Sequence, residues 1–340
     1  MSGPGGRPPR LRHSPGDVGG SARSGGGRRE VLTIVGPTAV GKTSVAIAVA
    51  RTLSGEIVSA DSRQVYRGMD VGTAKPTAAE RALVPHHLID VVEPSEPYDA
   101  ARYADDAERV IGGLLAAGVE PIVAGGTGFY LASLFEGLFD GARRNETVRD
   151  ELRSRLAREG AAALHRELSR VDPESAERIH PNDAARIVRA LEVHRATGRA
   201  LSAWQAGGTR EPKYRPRYVG LTMDRERLSS RIGRRVDAMM AAGLLDEVRL
   251  LVGSGRLREG TQAASAVGYR ELIPLVAGST EPDPERLAEA VRRIKVNTRR
   301  YSKRQMTWFS RAAGVTWIDI GDLDAEAAAR AVVAAWRGTG

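Results

Sequence analysis

Short runs rich in apolar and β-branched residues, at 31–35, 56–60, 87–91 and 121–124, alternate with helical periodicity at 42–53, 98–117 and 130–135. Gly118 marks a stop for the second of these helical stretches. Such alternation predicts a parallel sheet with crossover helices. From about 143 to 208 the pattern turns helical only, over 148–159, 161–171, 172–179 and 183–197, with Gly198 placed as a cap. A helical stretch between strand-bearing segments predicts an inserted subdomain. Arg217-Tyr218-Val219-Gly220-Leu221 then reads as a strand that returns the chain to the sheet, followed by helices at 225–242, 244–253 and 284–309. In the last helix Val291, Ile294, Thr298, Tyr301, Gln305 and Trp308 recur at steps of three and four, which predicts a core-facing stripe. No internal repeat interrupts this plan.

The expected fold class is therefore α/β, a parallel sheet flanked by helices with an inserted all-helical subdomain. Five segments are expected: a disordered Gly/Arg/Pro-rich tail at 1–29, a first core segment at 30–142, the insertion at 143–210, the rest of the core with long basic helices at 211–320, and a C-terminal helix or tail at 321–340.

Composition changes this picture mainly by exclusion. The 340 residues are 41% hydrophobic and 27% charged, the balance of a globular protein with room for a large core. With no cysteine there can be no disulfide, catalytic thiol or Cys-ligated metal, so chemistry falls to carboxylates, hydroxyls, Arg, Lys or His. No apolar run approaches the roughly 18 residues of a membrane span, and no secretory leader is legible, so a cytoplasmic location is expected. The net charge of +9 suggests an acidic partner, but it is unevenly spread. Residues 1–30 carry six arginines against Asp17 and Glu30, which places four of the nine net charges in the tail. The helix at 284–309 carries Arg292, Arg293, Lys295, Arg299, Arg300, Lys303 and Arg304 with no acidic residue among them, a candidate phosphate-attracting face or an ordinary solvated one.

The first chemical signal follows the first strand. Gly36-Pro37-Thr38-Ala39-Val40-Gly41-Lys42-Thr43 is a complete G-x-x-x-x-G-K-T phosphate loop in the required strand–loop–helix order. In such a loop the backbone N–H groups turn inward, the lysine reaches the terminal phosphates, the hydroxyl of Thr43 ligates Mg²⁺, and the helix adds its positive end. A diphosphate-bearing ligand is expected, and the fold is expected to be phosphate-loop NTPase-like. The loop alone does not say whether the diphosphate belongs to ATP.

Further motifs appear in series. They are Ser59-Ala60-Asp61-Ser62-Arg63-Gln64-Val65-Tyr66, Gly72-Thr73-Ala74-Lys75-Pro76, His86-His87-Leu88-Ile89-Asp90 and Gly125-Gly126-Thr127-Gly128-Phe129-Tyr130. Ile179-His180-Pro181-Asn182-Asp183, the segment 231–243, Val267-Gly268-Tyr269-Arg270-Glu271 and Lys303-Arg304-Gln305-Met306-Thr307-Trp308-Phe309 follow. In this order and spacing the chain resembles the tRNA dimethylallyltransferase, or tRNA isopentenyltransferase, family from about residue 31 to 309. The absence of cysteine leaves no place for the zinc module of many eukaryotic relatives, so the resemblance is to the bacterial type.

The resemblance implies that the loop, Gly36 to Thr43, holds dimethylallyl diphosphate with Mg²⁺. It also implies that the acceptor is N6 of the adenosine 3′ to the anticodon and that the partner is a tRNA anticodon stem-loop; separately, a monomer is expected, and without an apolar span no membrane partner is expected. Asp61 follows the second strand, at the sheet edge where open α/β sheets bind ligands, and becomes the candidate base for the amine. Phosphate-loop kinases also place an aspartate there to hold an acceptor hydroxyl. An ATP-dependent small-molecule or nucleotide kinase is therefore the alternative activity, and a nucleotide-switched RNA-binding protein a third. Arg235 matches a family arginine near the diphosphate, with Arg231 one helical turn away able to substitute. Thr127 matches a position touching the reacting nucleotide. The implied tRNA contacts are Asp61, Ser62, Arg63, Gln64, Thr127 and Arg149, with Ala185, Arg186, Ile187, Val188 and Arg189 in the insertion. Gln64 also offers a donor and an acceptor together to an adenine edge. Adjacent His86 and His87 point to opposite faces of a strand and are not expected to share a metal.

Overall fold

The computed structural model describes residues 28–137, 145–206, 211–276 and 281–338. The expected tail lies almost wholly outside the described residues, as do the expected insertion boundaries at 143 and 210. The described residues form one six-stranded sheet in the order β3-β2-β4-β1-β5-β6. Its strands are β1 (Arg29–Val35), β2 (Gly55–Ala60), β3 (His86–His87), β4 (Glu120–Gly125), β5 (Tyr214–Thr222) and β6 (Thr316–Asp319), and every pairing is parallel. The phosphate-loop strand β1 lies between β4 and β5, so the loops after β1, β2 and β4 emerge at one edge.

Helices cover both faces. Around the first half of the sheet these are α1 (Lys42–Leu53), α2 (Ala78–Leu83), α3 (Ala100–Ala116) and α4 (Gly128–Phe135). The helical stretch holds α5 (Glu146–Glu159), α6 (Ala161–Val171), α7 (Pro173–Arg178), α8 (Ala184–Thr197) and α9 (Leu201–Ala206). After β5 come α10 (Arg225–Ala241), α11 (Leu244–Gly253), α12 (Tyr269–Val276) and α13 (Pro284–Phe309), and after β6 comes α14 (Ala325–Arg337). Alternation along β1 sends Leu32 and Ile34 to a core shared with α1, α10 and α14. Val31 and Val35 join the opposite core, against α3, α4 and α11 to α13. The inserted helices have a third core of their own, built on Leu152, Leu164, Leu168, Ile187, Leu191 and Val193. Among the described residues, no helix is long and apolar enough to cross a membrane.

The strand expected over 87–91 is cut to His86–His87. Leu88 and Asp90 take positive φ of 61° and 57°, which L-residues rarely adopt and which no strand continues through. The core-facing stripe on α13 also needs correction at its end. Ile294 and Gln305 are buried, but Trp308 is 47% exposed and Phe309, at 1%, fills the core position instead. Gly198 caps α8 in the left-handed region as expected.

Candidate active site

The phosphate loop has the backbone its spelling requires. Gly36 and Gly41 have φ of 148° and 114°, values open to glycine, and α1 begins at Lys42. The Lys42 ammonium donates to the carbonyls of Gly36 at 2.9 Å and Pro37 at 2.7 Å, spanning the loop. Withdrawal from water pushes its pKa down to about 7; Asp61 opposes this shift and the Arg235 charge adds to it.

Asp61 stands one residue past β2, and its Oδ1 accepts from the N–H of Arg63 at 2.8 Å and of Gln64 at 3.4 Å. This turn fixes the carboxylate beside the loop, where its charge acts on Lys42, Arg235 and Tyr301 alike. Thr127 follows β4, and the N–H of Ser62 donates to its Oγ1 at 3.0 Å, while the Thr127 hydroxyl donates to Ser62 Oγ at 3.3 Å. The ends of β2 and β4 are thus joined, and Asp61, Ser62 and Thr127 form one ledge facing the loop.

Arg235 on α10 loses water at this centre, which lowers its pKa, with the Arg231 charge acting in the same direction and Asp61 against it. Arg231 lies at the other flank of the loop, its guanidinium 3.5 Å from where a Cβ on Gly41 would stand. Arg231 therefore stands against the phosphate loop, and Arg235 lies within the field of Lys42 and Asp61. The structure brings in two side chains that the sequence placed only on a packing stripe. Tyr301 of α13 lies beside Thr127, and desolvation together with the Asp61 charge pushes its phenol up to about 12. Gln305 of α13 accepts from Thr38 N–H at 2.8 Å and donates to Gly126 O at 2.9 Å. The available signal was polarity, since Tyr301 and Gln305 stand with Thr298 as polar residues on a stripe that also carries Val291, Ile294 and Trp308.

Behind Asp61 the motif residues build a frame. Lys75, its side chain 1% exposed, donates to Asp70 at 2.5 Å, Asp90 at 2.6 Å and the Tyr66 carbonyl at 2.8 Å. Glu247 of α11 accepts from the N–H groups of Asp70, Val71 and Gly72 and from the Tyr269 hydroxyl. Gln64 is buried in this frame, and its amide donates to the carbonyls of Thr73 at 3.4 Å and Ala74 at 3.3 Å. Arg63 donates to the Gln262 carbonyl at 2.6 Å. His86 and His87 are separately engaged, with Val84 O and Glu56 Oε2, and among the described residues no group of three His, Asp or Glu forms a metal cage.

The insertion arginines are arranged unequally. Arg149 and Arg189 converge on the fully buried Glu192, at 3.5 and 3.2 Å, and its Oε1 also accepts from Asn145 N–H at 2.9 Å. Arg186 is exposed beside Asp183 at 3.5 Å, and Ala185 is exposed too. Ile187 and Val188, expected among the RNA-facing residues, are instead 0% and 5% exposed in the insertion core.

The basic helix α13 is divided. Arg292 and Arg293 pair with Glu289, and Lys295 pairs with Asp237. Farther along, Arg300, Lys303, Arg304 and Arg311 line an open groove of about 620 Å³ with Thr307 and the exposed Trp308. This groove adjoins the site, because Trp308 packs on Gly128, next to Thr127.

Residues 64–312 match the family model described as IPP transferase, and residues 29–86 match that of isopentenyl transferase. A tRNA dimethylallyltransferase of Geobacillus thermodenitrificans (strain NG80-2) is 46% identical over 294 residues, 86% of this chain and 91% of that one. The crystal structure of a tRNA isopentenylpyrophosphate transferase from Bacillus halodurans aligns with a TM-score of 0.65 at 39% identity, covering 92% of this chain and 98% of that one. A eukaryotic dimethylallyltransferase captured acting on tRNA aligns with a TM-score of 0.74 at 29% identity, over 89% of this chain and 78% of that one.

Proposed function

Because this chain belongs to the tRNA dimethylallyltransferase (IPP transferase) family, whose activity is prenyl transfer to tRNA, we propose that its donor is dimethylallyl diphosphate and its acceptor N6 of the adenosine 3′ to the anticodon. The observation that carries this assignment is the placement of Asp61. A carboxylate tied down by two backbone N–H groups stands across the phosphate loop, within the field of Lys42 and Arg235.

The adenine N6 lone pair is delocalised into the ring, so attack gains from a base that takes the proton as the bond forms. N6 attacks the allylic C1, the C1–O bond breaks, and the diphosphate leaves with the electron pair. One N6 proton passes to Asp61, whose Oδ2 is left for it because Oδ1 is held by the turn. The charge growing on the diphosphate is met by the loop N–H groups, Lys42, Arg231 and Arg235. The Thr43 hydroxyl, in the first turn of α1, would hold Mg²⁺. With one protein hydroxyl and, among the described residues, no closed carboxylate cage, the donor set suits an ion liganded mostly by water and phosphate oxygens. When bound, that ion neutralises leaving-group charge. Thr127 and Ser62 would hold the extruded adenosine beside Asp61, a position that requires the base to leave its stack. A tRNA acceptor fits the cytoplasmic location expected from the sequence.

The test is transfer of label to an anticodon stem-loop from either dimethylallyl diphosphate or ATP. Label is expected from the prenyl donor alone, and Asp61→Asn is expected to lower kcat by about 10² to 10⁴ with donor binding retained. Phosphorylation from ATP would instead support kinase chemistry.

A further inference from the structure

We propose that Gln305 is a positioning residue that fixes the phosphate loop against the turn bearing Thr127, and so sets the geometry between donor and acceptor. This rests on the prenyl-transfer assignment above. Strands β1 and β4 pair as far as Val35 and Gly125, where the ladder ends and the two connections diverge. Gln305 supplies the next rung. Its Oε1 accepts from Thr38 N–H at 2.8 Å and its Nε2 donates to Gly126 O at 2.9 Å, so a side-chain amide stands where a third peptide would.

The partners fix the amide's orientation, because a backbone N–H can only donate and a carbonyl can only accept. The residue is 6% exposed, and one turn farther along α13 the apolar Phe309 is 1% exposed. Burial alone would be met by Leu or Met; the amide is needed for the two backbone groups it joins. Gly126 is shaped for this contact, since a Cβ there would stand 2.2 Å from Gln305 Nε2. One turn earlier on α13, Tyr301 lies beside Thr127 and within the field of Asp61.

The consequence is orientational. The loop would carry the leaving diphosphate and the turn would hold the nucleotide, so a loosened clamp leaves each substrate able to bind while misplacing one against the other. A displacement of about 1 Å between reacting groups costs on the order of 10² in rate. Gln305→Leu keeps the volume and removes both hydrogen bonds. Its transfer rate with both substrates saturating is expected to fall by about 10², with dissociation constants for dimethylallyl diphosphate and stem-loop, measured separately, within about threefold of wild type. Thr38 N–H exchange with solvent should accelerate in the same variant. Gln305→Glu keeps the acceptor for Thr38 and presents an acceptor to Gly126 until the carboxyl is protonated. Its rate relative to wild type is expected to recover as pH falls from about 8 to about 6, and it carries the test if the leucine variant does not fold.

An undiminished saturating rate in Gln305→Leu, or a defect confined to donor affinity, would overturn the clamp. A Gln305→Glu ratio that stays flat with pH would do the same. Absence of prenyl transfer by the wild-type chain would overturn the functional assignment itself, an outcome separable from either.

Discussion

At the scale of single residues, the site's electrostatics centre on Lys42. Its pKa, near 7 in the protein, lies below its ordinary value, so above about pH 7 the free site is mostly uncharged at this position. An arriving diphosphate favours the ammonium and raises the pKa. Binding therefore takes up a proton between about pH 7 and 9, and affinity falls as pH rises through that window, by up to about tenfold per unit. Calorimetry of dimethylallyl diphosphate at pH 8 in buffers of different ionisation enthalpy should give close to one more proton taken up by wild type than by Lys42→Met. Equal uptake would mean that Lys42 is already charged. These residues were legible because a phosphate loop is a contiguous motif whose geometry is local, and Asp61 was legible because it follows a strand end. Gln305 was not, since it lies 267 residues from Thr38 and only the folded sheet brings them together. Gln64 illustrates the converse: its amide suits a base edge on paper, but the frame turns it to Thr73 and Ala74.

At the scale of elements, periodicity gave the bounds of α1 and α13 and missed elements whose signals conflict. Helix α2 is short, but Thr77 and Glu80 form a capping box that was readable in sequence. Helix α12 carries Pro274 inside it, which argues against a helix until its buried Tyr269, Leu272 and Ile273 are seen. Strand β6 has only four residues and gains its place by pairing with β5. Helix α13 shows why a charge run is a weak signal alone: Arg292, Arg293 and Lys295 are spent on Glu289 and Asp237, while Arg300, Lys303 and Arg304 face the groove. Reversing Arg300 and Lys303 to Glu is expected to weaken stem-loop binding and to flatten its log-affinity against log-salt slope by about 1 to 2. Reversing Arg292 and Arg293 should change that slope far less. Filter binding over a salt series distinguishes the two pairs, and equal effects would mean that the whole helix acts as a diffuse charge.

At the scale of the molecule, a parallel sheet with two covered faces carries the reacting groups, and a helical insertion stands on its own core. The pairing of Arg149 and Arg189 with Glu192 belongs to that second unit and gives those arginines a structural task besides any contact with RNA. Leu168→Ala, at a fully buried insertion position, is expected to cost about 3 kcal/mol. The loss should appear in hydrogen exchange as reduced protection across α5 to α8, with β1 and β4 unchanged; equal loss in the sheet would mean that the two units unfold together. The proposed division of labour puts prenyl chemistry on the sheet edge and RNA on the surfaces around it. The most direct measurement is mass spectrometry of an anticodon stem-loop after incubation with the protein, Mg²⁺ and dimethylallyl diphosphate, followed by digestion to nucleosides. The expected result is one dimethylallyl group on N6 of the adenosine 3′ to the anticodon, dependent on the prenyl donor and formed about 10² to 10⁴ times more slowly in Asp61→Asn. An unmodified RNA, or a group on any other nucleoside, would contradict it.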